Sequence, residues 1–258
     1  MLALKRRLIG TGLGRLAAGV RDCLELLRTP RVALGTVVND QMAIPLLIHL
    51  TPDGETFVDV GAHIGSVIAE ARRLRPRSQV IAFEAMPDKA DFLRQRFPDV
   101  AVRCCALAEE DGEASFYVAD QSGFSSLAKV SSNEIKVRKQ RLDDVLGDQH
   151  IHAMKIDVEG AELGVLRGAD RVVRRSRPII MFESGPGNVL GYTKEAAFNW
   201  FAARDYGLMA PNRLANTGGA MTLDGFTDSH EYPRRTTNYF AVPMEWLNEF
   251  RRKASSYS

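Results

Sequence analysis

The sequence predicts an α/β protein built on a mostly parallel sheet with helices on both faces, and three observations carry that prediction. From Thr56 onward, apolar β-rich runs alternate with helical segments, the pattern of repeated βαβ units. Val80-Ile81-Ala82-Phe83 and Ile179-Ile180-Met181-Phe182 are apolar at consecutive positions, as strands buried on both faces should be. The stretch FVDVGAHIGSVIAEA, Phe57 to Ala71, reads as strand, glycine loop and helix, with an acid, Asp59, just before the loop.

The elements follow in order. Residues 1–50 are expected to form a helical extension and residues 51–258 the main domain. In the extension, Ile9, Leu13, Leu16, Val20, Leu24 and Leu27 recur at helical spacing behind a basic start. Its apolar stretches are too broken by Gly and Arg for a secretory signal. Such a helix docks on its own body or a partner subunit, or lies on an anionic membrane surface. The second reading gives residues 1–34 a peripheral membrane contact. In the domain, TFVDV, QVIAFE, VAVRCC, HAMKID and PIIMFES are five strands. Helices are expected over 64–74, 87–97, 161–174 and 194–204, with Pro87 suited to a first turn. Between the third and fourth strands, residues 112–147 read as strand, Ser/Gly loop, strand and helical turn. After Tyr206 comes a long Gly/Asn/Thr-rich loop, then a late strand, NYFAVP, and a final helix over 243–252.

Composition bounds the function. The chain has 258 residues, a formal net charge of +2 and ordinary apolar and charged fractions, so nothing in it calls for a nucleic-acid partner. Arg138, Lys139 and Arg141 are basic but lack the aromatic platform that single strands require. Three cysteines, two of them adjacent, make neither a metal pattern nor a disulfide framework, which favours a reducing, cytoplasmic setting. No apolar run approaches the roughly 18 residues that cross a membrane.

Ligands of open α/β sheets bind beyond the carboxyl ends of the strands. There the first strand delivers Asp59 and the loop from Gly61 through Ala62, His63 and Ile64 to Gly65. The second delivers Glu84 and then Ala85, the third leads into Ala106 and Leu107, the fourth delivers Asp157 and Glu159, and the fifth Glu183. Carboxylates gathered at strand ends repel one another and cost desolvation, a cost that a ligand with hydroxyls and positive charge relieves. Glu84 lies about 20 residues past the glycine loop, where a ribose-binding acid belongs in a nucleotide-binding βαβ unit. The loop is not the G-x-G-x-x-G of dinucleotide sites. Asp59 before it suits a sulfonium or ammonium better than two phosphates.

Taken in order, FVDVGAHIGSVIAEA, VIAFEAMPD, ALAEEDGEASFYV, SGFSSL, RLDDVL, MKIDVEGAELGVLRGA, RPIIMFE and NYFAVP resemble the FkbM-type methyltransferases, which belong to the class I methyltransferases dependent on S-adenosylmethionine. The likeness runs from Thr56 to Val242. It implies a Rossmann-like sheet of seven strands, one reversed, and O-methyl transfer to hydroxyls of carbohydrates, glycolipids or natural products. It also implies that Asp59, Gly61, Ala62, His63 and Gly65 meet the methionine part of the cofactor. Glu84 would hold the ribose, Ala85 would also contact the cofactor, Ala106 and Leu107 would lie near the adenine, and Asp157 would sit near the transferred methyl and the acceptor. His63 stands where the family more usually has asparagine.

An alcohol is a poor nucleophile, so a base or a metal should assist. Asp157 is the first candidate base, with Glu183 and Glu159 next and the histidines, His63 and His230, behind them. Asp157, Glu159 and Glu183 can also offer oxygens to a divalent metal, although no dedicated cage is legible and none is expected. Lys155, on the same strand face as Asp157, is expected to pair with a neighbouring acid, and Glu162 to complement a helix start. Ser125, Ser126 and His230 lie in long loops of the kind that bind substrates. Two other readings compete: an NAD-dependent oxidoreductase on a similar sheet, and a cofactor-binding scaffold without turnover.

Overall fold

A computed structural model describes residues 6–118, 133–185, 191–216, 218–231 and 235–256. After helical residues 6–8 come two helices, α1 (Gly12–Arg28) and α2 (Pro30–Leu50). Thr11 starts α1 by accepting the Gly14 N–H on its hydroxyl at 3.1 Å, and Pro30 starts α2 at a position where no amide donor is needed. Next come β1 (Thr56–Val60), α3 (Ser66–Leu74), β2 (Gln79–Glu84), α4 (Pro87–Arg96), β3 (Ala101–Cys104) and β4 (Ala106–Leu107). They are followed by β5 (Gly112–Val118), β6 (Asn133–Gln140), α5 (Leu142–Leu146), β7 (Ala153–Ile156), α6 (Glu162–Arg167), α7 (Asp170–Ser176), β8 (Ile179–Glu183) and α8 (Lys194–Ala202). The chain closes with β9 (Tyr206–Met209), α9 (Pro211–Ala215), α10 (Leu223–Asp228), β10 (Asn238–Pro243) and α11 (Leu247–Ser255).

The main sheet has seven strands in the order β3-β2-β1-β7-β8-β10-β9. Every pairing is parallel except those of β10, which runs antiparallel to both β8 and β9. This is the Rossmann-like architecture expected, with its one reversed strand. The insertion forms a separate small sheet, β4-β6-β5.

Alternation along each strand divides the core into two layers. Phe57, Val80, Ala82, Met181, Phe240 and Val242 point to one side, where α2, α3 and α4 cover them. Val58, Ile81, Phe83, Ile156, Phe182 and Tyr239 point to the other, against α6, α7, α8 and α10. Ala43, Leu46, Leu47, Ile48 and Leu50 of α2 lie in the first layer, so the second half of the N-terminal extension is built into the core.

Three expectations need correction. The helix expected over 161–174 is two helices, because Gly168 presses its backbone on Ala108 and offers its carbonyl to the Asp143 N–H at 2.9 Å. Tyr206–Met209 is a strand, not the start of a loop, since all four residues are buried beside β10. The long stretch after it contains α9 and α10, the latter started by the Thr222 hydroxyl and anchored by fully buried Phe226.

Candidate functional site

The strand order reverses between β1 and β7, and a cavity of about 440 Å³ opens there at the carboxyl ends of the strands. Adjacent strands stand about 4.8 Å apart, so the chemistry that each end presents is laid out in sheet order. Ala106 and Leu107 follow β3, Glu84 and Ala85 end β2, and Gly61, Ala62 and His63 follow β1. Asp157 and Glu159 follow β7, Glu183 ends β8 and Asn238 begins β10, and all of them line the cavity.

The glycine loop is fixed from three sides. The amides of Gly61 and Ala62 both donate to the Phe83 carbonyl, at 2.9 and 3.0 Å, and the His63 amide donates to Glu84 Oε2 at 2.7 Å. Gly61 and His63 have positive φ, 78° and 51°. Histidine, with Asn and Asp, is among the non-glycine residues enriched at positive φ. A Cβ on Gly61 would come to 1.9 Å from the Asp157 carbonyl oxygen, so nothing larger fits.

Glu84 is buried, and its other oxygen accepts the Met86 amide at 2.9 Å. Burial raises its pKa, with the two amide donors and the Lys89 ammonium working against that rise. With one amide on each oxygen and the residue on the cavity wall, the carboxylate retains acceptor capacity for two donating hydroxyls, such as those of a vicinal diol.

At the centre lies a charge cluster. The Lys155 ammonium is buried 3.4 Å from Asp59 and 3.3 Å from Asp157, and donates to the Gly61 carbonyl at 2.9 Å. Burial alone would lower its pKa, but Asp157 and Asp59 outweigh burial and raise it. Burial pushes Asp157 up, while Lys155 and a hydrogen bond from Glu183 bring it below its ordinary value. Glu183 goes the opposite way, up to about 10, through burial and the Asp157 charge beside it. The pair therefore shares one proton, held on Glu183. Oxygens of Asp157, Glu159 and Glu183 converge within 4.8 Å of one another.

Not every expected residue reaches the cavity. Asp59 is fully buried beneath it, facing Lys155. Gly65 also lies off the wall: a Cβ there would meet Phe97 at 2.5 Å, so its missing side chain makes room for α4 packing. His230 is far from a substrate-binding role. Its Nδ1 donates to the Phe226 carbonyl at 2.8 Å, its Nε2 accepts the Ser184 hydroxyl at 2.9 Å, and its ring stacks on Tyr239. Burial and Lys194 push it down to about 4, so it stays neutral. Ser125 and Ser126 lie outside the described residues. Glu162 is structural: one oxygen accepts the amides of Val158 and Gly160, the other the Tyr192 hydroxyl.

Other wall residues were not foreseen. Asp40 and Ile44 reach the cavity from α2, Lys89 from α4, and Thr237 and Asn238 from the start of β10. Asp40 accepts the Asn238 side-chain amide at 2.5 Å, and burial raises it to about 6. Its signal was faint: a lone acid in a short polar run, Asn39-Asp40-Gln41, inside a largely apolar helix.

Known proteins resemble part of this chain. A methyltransferase of Beauveria bassiana (strain ARSEF 2860) is 29% identical, over 46% of this chain and 60% of its own length. A methyltransferase of Sordaria araneosa is also 29% identical, over 46% of this chain and 62% of its own length. The chain thus spans about three fifths of the length of these curated relatives. The solved FkbM methyltransferase of Methylobacillus flagellatus KT is similar at 19% identity and a TM-score of 0.49, over 74% of this chain and 44% of that one. The methyltransferase FkbM domain model matches residues 59–206, from the acid under the glycine loop to the start of β9, and the chain belongs to that family of methyltransferases.

Proposed function

We propose that the protein transfers a methyl group from S-adenosylmethionine to a hydroxyl of a carbohydrate, glycolipid or natural-product acceptor, and not to nucleic acid. The observation that carries this reading is the Asp157–Glu183 pair, set beside a cavity whose other end offers Glu84 to a diol.

The residues fit the cofactor. Glu84 has two oxygens free to accept ribose hydroxyls, Phe83 and Leu107 supply apolar wall for a base, and the acids near Asp157 favour a cation. When bound, S-adenosylmethionine supplies an electrophilic methyl on a sulfonium. The chain's part is to hold an acceptor oxygen in line with that methyl and to take its proton. Asp157, kept ionised by Lys155, orients the hydroxyl by accepting its hydrogen bond and then receives the proton as the oxygen loses it. Glu183 is already protonated, so it serves as donor to Asp157 and not as a second base. Lys155 supplies positive charge at this point.

Turnover of S-adenosylmethionine with a panel of glycans and hydroxylated lipids tests the proposal. Asp157→Asn should lower turnover by roughly a hundredfold or more while leaving affinity for S-adenosylhomocysteine nearly unchanged. Wild-type turnover in that variant contradicts the role given to Asp157.

A further inference from the structure

Helix α1 is mounted the wrong way round for a helix that stabilises its own fold. Leu13, Leu16, Val20, Leu24 and Leu27 form one stripe, and each is between 46% and 80% exposed. The side turned inward is the poor one. Gly14, Asp22 and Leu26 are half-buried, with the Asp22 carboxylate accepting the Gln41 side-chain amide of α2 at 3.2 Å. None of the residues of α1 is buried. Five exposed aliphatic side chains along about 21 Å of helix make a contiguous apolar strip, of a kind that soluble surfaces rarely leave uncovered.

Charge says what covers it. Residues 1–34 carry seven of the 34 basic residues and two of the 32 acidic ones, a local +5 in a chain of total +2, so the remainder is net acidic at −3. Helical spacing puts Arg21 and Arg28 along one border of the stripe and Gly12, Gly19 and Cys23 along the other. Glu25 lies beside the two arginines, and Arg21 pairs with Asp22 at 2.7 Å, so the basic excess at this border is carried by Arg28 and by the rest of the segment. A second copy of the segment packed on this strip would bring two net charges of +5 together. A lipid surface with anionic headgroups satisfies both features: acyl chains take the leucines, and the arginines reach back to the phosphates. Among the described residues no helix is long and apolar enough to cross a membrane, so the contact is in the plane of the interface.

We infer that α1 docks the protein on anionic membrane surfaces through the Leu13–Leu27 stripe. The inference does not rest on the methyl-transfer reading. It bears on that reading, because α1 packs on α2, whose Asp40 and Ile44 wall the cavity, which sets the acceptor end one helix away from the lipid.

Flotation of the full chain with vesicles of equal parts phosphatidylcholine and phosphatidylglycerol, at low and high salt, is the test. The protein should float with these vesicles, much less with pure phosphatidylcholine, and less as salt rises. Leu16→Glu with Leu24→Glu, both at exposed positions, should weaken flotation roughly tenfold or more with an unchanged melting temperature. A conservative pair, Leu16→Ile with Leu24→Ile, should retain it. Absence of flotation at low salt overturns the inference, as does equal flotation of the Glu variant. Sedimentation showing a dimer that the Glu pair dissolves assigns the stripe to a second copy and overturns it equally.

Discussion

Gly61 shows how little freedom the site leaves its parts. Its φ of 78° and the 1.9 Å approach that a Cβ would make to the Asp157 carbonyl oppose any side chain. Gly61→Ala should destabilise the fold by about 2–4 kcal/mol, read as a lower denaturation midpoint at unchanged slope. Glu183 makes a second prediction. Its pKa is raised from 4.5 to about 10 in the folded chain, so the folded state holds a proton that the unfolded state releases. That contribution is complete below pH 4.5 and is lost as pH rises toward about 10. Melting temperatures measured across this window should fall more steeply for the wild type than for Glu183→Gln, and parallel curves would refute the shared proton. Most of these residues could be read from the sequence, because strand-end acids and positive-φ glycines leave a local signature. Asp40 and His230 could not. Asp40 meets Asn238 only through tertiary packing, and nothing near His230 in sequence reveals that Ser184 and Tyr239 enclose it.

Elements were legible where a period or a cap is local. β1, β2 and β10 lie where their apolar runs placed them, because both faces are buried and the pattern has no competitor. The break between α6 and α7 was invisible, since it comes from a partner distant in sequence. Asp143, on α5, is 1% exposed and accepts the amides of Arg171 and Val172 at 3.0 and 2.8 Å, replacing the missing helical partners at the start of α7. Asp143→Ala leaves those donors buried and unpaired, and should cost about 1–3 kcal/mol by chemical denaturation. An Asp143→Asn variant retains one acceptor oxygen and should recover part of the loss. β9 escaped the sequence reading for a different reason: a four-residue strand that contains Gly207 and is closely followed by Pro211 has too short a pattern to separate from a loop.

At the scale of the whole molecule, sheet order is the source of function. Placing β1 between β2 and β7 lines up Glu84, the glycine loop and the Asp157–Glu183 pair along one cavity. The family match covers the part of this line from β1 to the start of β9. The wall at its far end comes from outside that match, through Asp40 and Ile44 before it and Thr237 and Asn238 after it. The first half of the line was legible, because a βαβ unit brings its own ends together. The second half was not, because helix α2 and strand β10 close on it only in the folded chain. Calorimetric titration of the full chain with S-adenosylhomocysteine, with NAD in parallel, tests the central claim most directly. The account predicts micromolar binding of S-adenosylhomocysteine, none of NAD, and a loss of at least roughly tenfold in Glu84→Ala, where the hydrogen bonds of a charged acceptor disappear. Binding of NAD alone, or S-adenosylhomocysteine binding that ignores Glu84→Ala, would contradict it.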